Sequence, residues 1–141
     1  MKILKSVGLV TVFGGFVADW NRTHLFNPNW PPHARFHDAM TILLGTFAGL
    51  GSLHFLRRAP HPSEQDLAIA AALPSAFFLS QTLSFAFPGA KGLDAEFPDA
   101  LPKIGRVQIN EFHISLAILA ITAVGYSMAR RERSAPRPRR P

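Results

Sequence analysis

The sequence predicts an all-α integral membrane protein, a four-helix bundle with both termini cytoplasmic. Three observations predict it. Apolar blocks at about 3–20, 38–56, 67–87 and 109–129 each approach or exceed the roughly 17–25 residues that cross a bilayer as helix. No Lys, Arg, Asp or Glu falls in the middle of any block. The charged residues sit between the blocks on alternating sides. A soluble four-helix bundle would show a charged face at helical spacing. Residues 67–87 and 114–129 show none.

The chain carries a formal charge of +6, but its distribution argues against nucleic acid. Lys2, Lys5, Arg57, Arg58, Arg130, Arg131, Arg133, Arg137, Arg139 and Arg140 flank one side of the blocks. Arg22, Arg35, Lys91, Lys103 and Arg106 lie on the other, among Asp38, Asp94, Glu96, Asp99 and Glu111. The positive-inside rule then puts both termini and the 57–66 connector in the cytoplasm and turns the 20–38 and 88–108 connectors outward. In a bacterium this would be the inner membrane. Residues 1–130 form the four-span domain, and the basic Arg/Pro tail over 131–141 is expected to be disordered near anionic headgroups.

The elements follow in order. Lys2 and Lys5 before an apolar run resemble the start of a signal peptide, but no small-x-small cleavage site precedes Asp19, so the first block is read as an uncleaved span. It carries Gly8, Thr11, Gly15 and Asp19 along one face. Asn29 followed by Pro31-Pro32 suits the start of the second helix, whose Thr41, Gly45, Gly49 and Ser52 form a small-residue stripe for close packing. Pro74 is expected to kink the third helix. Glu111, Ser115, Thr122 and Gly125 line one face of the fourth. On these stripes Asp19, Asp38 and Glu111 point into the bundle. The segment 87–98 is either a lid over a site or a solvated connector.

The helical rise places Asp19 about 21 Å from Lys5, Gln81 about 22 Å from Asp66, Thr41 about 24 Å from Arg57 and His113 about 26 Å from Arg130. All four helices thus bring a polar group to one level near the outer edge of the membrane. No ionisable residue lies at the midplane, which argues against a transport pathway.

Asp19 is the foremost candidate, because an acid at that depth is expensive unless paired or protonated. It would act as a general acid or base, ligate a metal, or pair with Arg22 or Arg35. His24, His33, His37 and Glu111 are the other catalytic candidates. His33 and His37 form H-x-x-x-H, a spacing that suits two ligands on one helix face; with His24 and Asp19 they could hold a divalent metal such as zinc or iron. Glu111 and His113 are two apart and cannot share one face, and Glu111 continues the polar stripe. Trp20, Trp30, Arg35, Gln81 and His113 are candidates for substrate contact; the tryptophans equally suit the aromatic belt. Asn21, Asn27 and Asn29 suit turns. His54 reads as structural and His61 as loop. The absence of cysteine excludes disulfides, thiol redox chemistry and Cys-ligated metal centres.

The string Ala18-Asp19-Trp20-Asn21-x-Thr23-His24-x-x-Asn27-Pro28-x-Trp30-Pro31-Pro32-His33-Ala34-x-Phe36-His37 resembles the signature of a family of small four-span membrane proteins from bacteria and fungi, largely uncharacterised. The Phe87-Pro88-Gly89 turn and the acidic 94–96 segment are similar to that family too. The resemblance covers the whole chain and implies the four-span fold, but no activity.

Two functions are expected from these residues. One is a membrane enzyme using acid–base chemistry, metal-assisted or not, on a lipid or apolar small molecule, in the manner of an isomerase or cyclase. The other is a non-catalytic protein that holds a metal, haem or lipid or steadies a larger complex. The expected partners are the bilayer, an apolar ligand and a second copy of the chain.

Overall fold

Glycine and hydroxyl side chains decide how closely these helices approach. The computed structural model describes residues 1–134. They form α1 (Lys2–Asp19), α2 (Pro32–Arg57), α3 (Glu64–Ser84) and α4 (Glu111–Ser134). Each helix packs on the next in the chain and α4 returns to α1, so the bundle runs up and down with all short connections at its ends. Helices α2, α3 and α4 are long and apolar enough to cross a membrane. Helix α1 is 18 residues long and includes Lys2, Lys5 and Asp19, so its uncharged stretch is shorter. The surface is consistent with a membrane protein. Phe13, Val17, Phe47, Leu83 and Val124 are all exposed, a pattern a water-soluble bundle avoids.

The α1–α2 contact is the tightest. A Cβ at Gly49 would stand 2.6 Å from Val12 N and 2.7 Å from Gly8 O, so only glycine fits. Thr46 Oγ1 donates to Val12 O at 3.1 Å across the same contact. Helix α3 runs unbroken through Pro74. Proline has no N–H and therefore leaves the carbonyl one turn earlier without its helical donor. That carbonyl belongs to Ala70, and the buried Ser52 Oγ of α2 donates to it at 2.7 Å. The hydroxyl supplies the bond that Pro74 removed and fastens α2 to α3.

The two ends of the bundle are built differently. At the end holding both termini, Leu4, Leu56, Leu67, Ala70, Ala71 and Ala129 form the buried core. Gly125 lets Ile3 of α1 press on α4, since a Cβ there would meet Ile3 Cγ2 at 2.7 Å. Ser63 and Asp66 form a capping box on α3, Arg58 pairs with Asp66 at 3.0 Å, Arg130 pairs with Glu64, and the N-terminal ammonium pairs with Glu132 at 3.0 Å.

At the other end lie the longer connections. The second, residues 85–110, contains two 3-10 turns, Leu93–Ala95 and Pro98–Ala100. These are followed by a small antiparallel hairpin of β1 (Lys103–Ile104) and β2 (Val107–Gln108). The all-α expectation missed these pieces, which are too short to carry a periodic signal. Helix α2 begins at Pro32, where the Pro31-Pro32 pair suits a helix start, so the helix extends about a turn and a half beyond the apolar block that opens near residue 38. Helix α4 continues to Ser134, so 131–134 are helical rather than tail; the rest of the expected tail, 135–141, lies outside the described residues.

Candidate functional site

Between α1, α3 and α4, at the end away from the termini, is a cavity of ≈ 470 Å³. Its body is apolar: Val10, Gly14, Ala18, Phe77, Phe78, Ile114 and Ile118 line it. Its mouth is polar, with Asp19, Asn21, Arg22, Thr23, His24, Gln81 and Glu111. Leu93, Ala100 and Leu101 of the second loop complete the lining, so that loop covers part of the site.

The first loop turns sharply off α1. Asp19 O accepts from Asn21 N at 2.8 Å and from Leu25 N at 3.1 Å, which folds the chain back and brings His24 over the end of its own helix. His24 Nε2 stands 3.6 Å from Asp19 Oδ1, both side chains being largely buried. The hydrogen bonds around His24 fix its tautomer. Asn21 Oδ1 accepts from Thr23 N at 2.8 Å, which identifies that atom as the oxygen of the amide. The same oxygen accepts the Thr23 hydroxyl at 2.7 Å. The hydroxyl has then spent its only hydrogen, so it must accept from His24 Nδ1, 2.9 Å away. Neutral His24 therefore carries its proton on Nδ1 and turns the lone pair of Nε2 toward Asp19. Sequence reasoning treated Asn21 as turn chemistry. It forms the turn, and it also sets the proton on the neighbouring histidine.

The rest of the loop is held by Asn27, buried at the centre of it. Its amide donates to Thr23 O at 3.3 Å and its Oδ1 accepts from Asn29 N at 3.0 Å. Its carbonyl accepts from Trp30 N and, at 2.9 Å, from the Arg35 guanidinium. Arg35 thus ties the start of α2 to the loop and pairs with no carboxylate among the described residues. Trp30 sets its face against the His24 ring edge-on, centroids 5.7 Å apart.

On the facing side, Glu111 opens α4 and its carboxylate accepts from Leu93 N at 3.1 and 3.2 Å. Asn110 donates to Asp94 Oδ1 at 2.8 Å. Gly92 sits where a Cβ would meet Asp94 Oδ1 at 2.6 Å, Glu111 Oε2 at 2.7 Å and Asn110 Nδ2 at 2.8 Å, so a side chain there would push these three polar tips out of their present places. Gln81 accepts from the buried Ser115 hydroxyl at 2.7 Å, which links α3 to α4 and leaves its NH₂ without a partner among the described residues. Asp38 Oδ2 is buried with no hydrogen-bond partner among the described residues.

The structure therefore brings Asp19, His24, Gln81 and Glu111 to one cavity. It does not bring the other candidates there. His33 and His37 are exposed on the first turns of α2, Nε2 to Nε2 at 3.0 Å, because helical spacing joins them to each other but the rotation of α2 turns them out of the cavity. Among the described residues no three His, Asp or Glu converge on one point suited to a metal ion, so the set of His24, His33, His37 and Asp19 is not assembled. Trp20 is exposed and packs with Phe16 and Phe26, as an interfacial aromatic would. His113 turns to Asn110 Oδ1 at 2.8 Å instead of the cavity; the helix starts at Glu111, so the two residues point apart. The polar and loop residues that sequence reasoning left out of the site are Asn21, Arg22, Thr23, Ala100 and Leu101. Leu93 lies in the 87–98 segment read as either a lid or a solvated connector, and Thr23 had a signal in its place between Asn21 and His24.

Fold and site together define a helical-bundle protein with three helices able to cross a membrane and a cavity that is apolar within and acid–base at its mouth. The chain belongs to a family of unknown function, DUF6640, matched over residues 3–140. No curated protein and no solved structure matches the chain.

Proposed function

We propose that this is a membrane-embedded enzyme that moves protons on a lipid or other apolar small molecule. One observation carries the reading: Asp19 and a tautomer-fixed His24 meet, 3.6 Å apart, at the mouth of an apolar cavity of ≈ 470 Å³. A base and an acid side by side can take a proton from one carbon of a substrate and return one to another. That shifts a double bond with no change in composition and no oxidant. The cavity's size and lining suit a small apolar ligand. Gln81 NH₂ and Arg22 would orient a polar end of the substrate. The flanking Lys and Arg residues support a topology with both termini cytoplasmic and the cavity mouth outward. The Asp19–His37 string would be the family's hallmark because Asp19, Asn21, Thr23 and His24 act as one hydrogen-bonded unit.

The experiment is solvent exchange. Membranes containing the wild-type chain, Asp19→Asn or His24→Gln are incubated in D₂O and their lipid extracts compared by high-resolution mass spectrometry. An acid–base isomerase puts deuterium into one apolar species. Both variants lower that rate by at least about 10². Equal labelling in all three samples rejects the reading. A second reading, a non-catalytic ligand holder, is favoured by the capture of the Glu111 carboxylate by Leu93 N–H. It predicts a co-purifying apolar molecule that acquires no deuterium.

A further inference from the structure

The exposed histidine pair does not line the Asp19 cavity. A second concavity, an open groove of ≈ 570 Å³ between α2 and α3, begins one turn along α2 from His37, at Thr41. On α2 its wall includes Thr41, Leu44 and Ala48. His33 and His37 precede them at intervals of four residues, so the pair extends the same helical face beyond the groove's upper end. The groove itself offers no free hydroxyl donor. Thr41 donates to His37 O at 3.0 Å, Ser80 to Ala76 O at 2.8 Å and Ser84 to Ser80 O at 2.9 Å. Apart from the Gln81 amide, which it shares with the Asp19 cavity, its lining is thus apolar or internally bonded, with the imidazoles above.

The chemistry of the pair is constrained by its own bond. His33 Nε2 and His37 Nε2 are 3.0 Å apart, so one ring donates and the other accepts. The accepting ring, when neutral, must carry its proton on Nδ1. Neither Nδ1 has a partner among the described residues, so at least one N–H is always offered outward, and both when the pair takes up a proton. Exposed Leu44, Phe47, Leu79 and Leu83 put the groove within the apolar belt.

We infer that the α2–α3 groove seats an acyl chain of an anionic phospholipid whose phosphate is held by His33 and His37. This site is separate from the Asp19 cavity and stands whether or not that cavity is catalytic. Phe77 and Gln81 line both and form the wall between them.

The full chain is reconstituted with dioleoyl phosphatidylglycerol or dioleoyl phosphatidylcholine, and bound lipid is counted by native mass spectrometry during delipidation. Wild type is expected to retain one phosphatidylglycerol well after phosphatidylcholine is lost. His33→Ala/His37→Ala changes only exposed residues and should weaken that retention about tenfold, the loss of a charge-assisted hydrogen bond. Ala76→Trp fills the groove from its exposed rim and should abolish retention of either lipid. Phosphatidylglycerol held as in wild type by either variant overturns the proposal. So does equal retention of both lipids by the wild type.

Discussion

The two ends of this bundle hold similar residue types and use them oppositely. At the end with the termini, charged groups pair with each other across helices, Arg58 with Asp66 and Arg130 with Glu64, over the packed core of Leu4, Leu56 and Leu67. At the loop end, Asp19, Glu111 and Asp38 face no Lys or Arg within salt-bridge distance among the described residues; their surroundings are amides, a histidine and backbone N–H groups. Paired charges at a surface cost little to hold. Acids left near one another around an apolar hollow cost stability and are retained where chemistry or binding needs them. Substitutions in the packed core of the closed end should move stability and leave exchange activity alone, and those at Asp19 and His24 the reverse.

The largest effect that tests this division lies at Gly49. A side chain there would have to displace the backbone of α1 at Val12 and Gly8, and backbone cannot swing aside as a side-chain tip can. Gly49→Leu should cost about 3 kcal/mol or more, read as loss of the folded fraction on titration with denaturing detergent. A wild-type midpoint would mean that α1 is not held against α2 by close packing, and the cavity built on α1 would lose its frame.

A smaller and more specific effect concerns Ser52 and Pro74. Ser52→Ala leaves Ala70 O buried without a donor, a loss of about 1–3 kcal/mol. Pro74→Ala returns an N–H one turn after Ala70. In that background Ser52→Ala should cost clearly less, so a double-mutant cycle should show a coupling of about 1 kcal/mol. Additive costs would mean that the hydroxyl does not stand in for the proline's missing bond.

Much of this was legible in the sequence. Four apolar blocks with charges only at their edges specify helices whatever the details, and the constant rise per residue puts Asp19, Gln81, Thr41 and His113 at one level. What spacing does not give is the rotation of each helix about its axis within the bundle. His33 and His37 could be joined to each other from sequence but not directed, and they face out. Asp19 with His24 was legible as one pairing among several and could not be singled out, because the fold of residues 19–27 depends on two asparagine side chains bonding their own loop. The contribution of Leu93 and Leu101 depends on a loop held to α4 by the Glu111 carboxylate on Leu93 N and by Asn110 on Asp94, contacts that no spacing in the sequence announces.

The smallest effect separates two accounts of the closed end. Arg130 and Glu64 are both more than half exposed, and an exposed pair gains little, since water screens the charges and two long side chains lose freedom to meet. Arg130→Gln should change stability by less than about 0.5 kcal/mol in detergent, and salt should matter as little. Packing of Leu4, Leu56, Leu67 and Ala129 would then be what closes that end, with the ion pairs marking the level at which the helices leave the apolar phase. A cost above about 1 kcal/mol that disappears in high salt would reverse the assignment: the closed end would be a charge clasp, and the contrast with the loop end would be one of pairing alone rather than of packing.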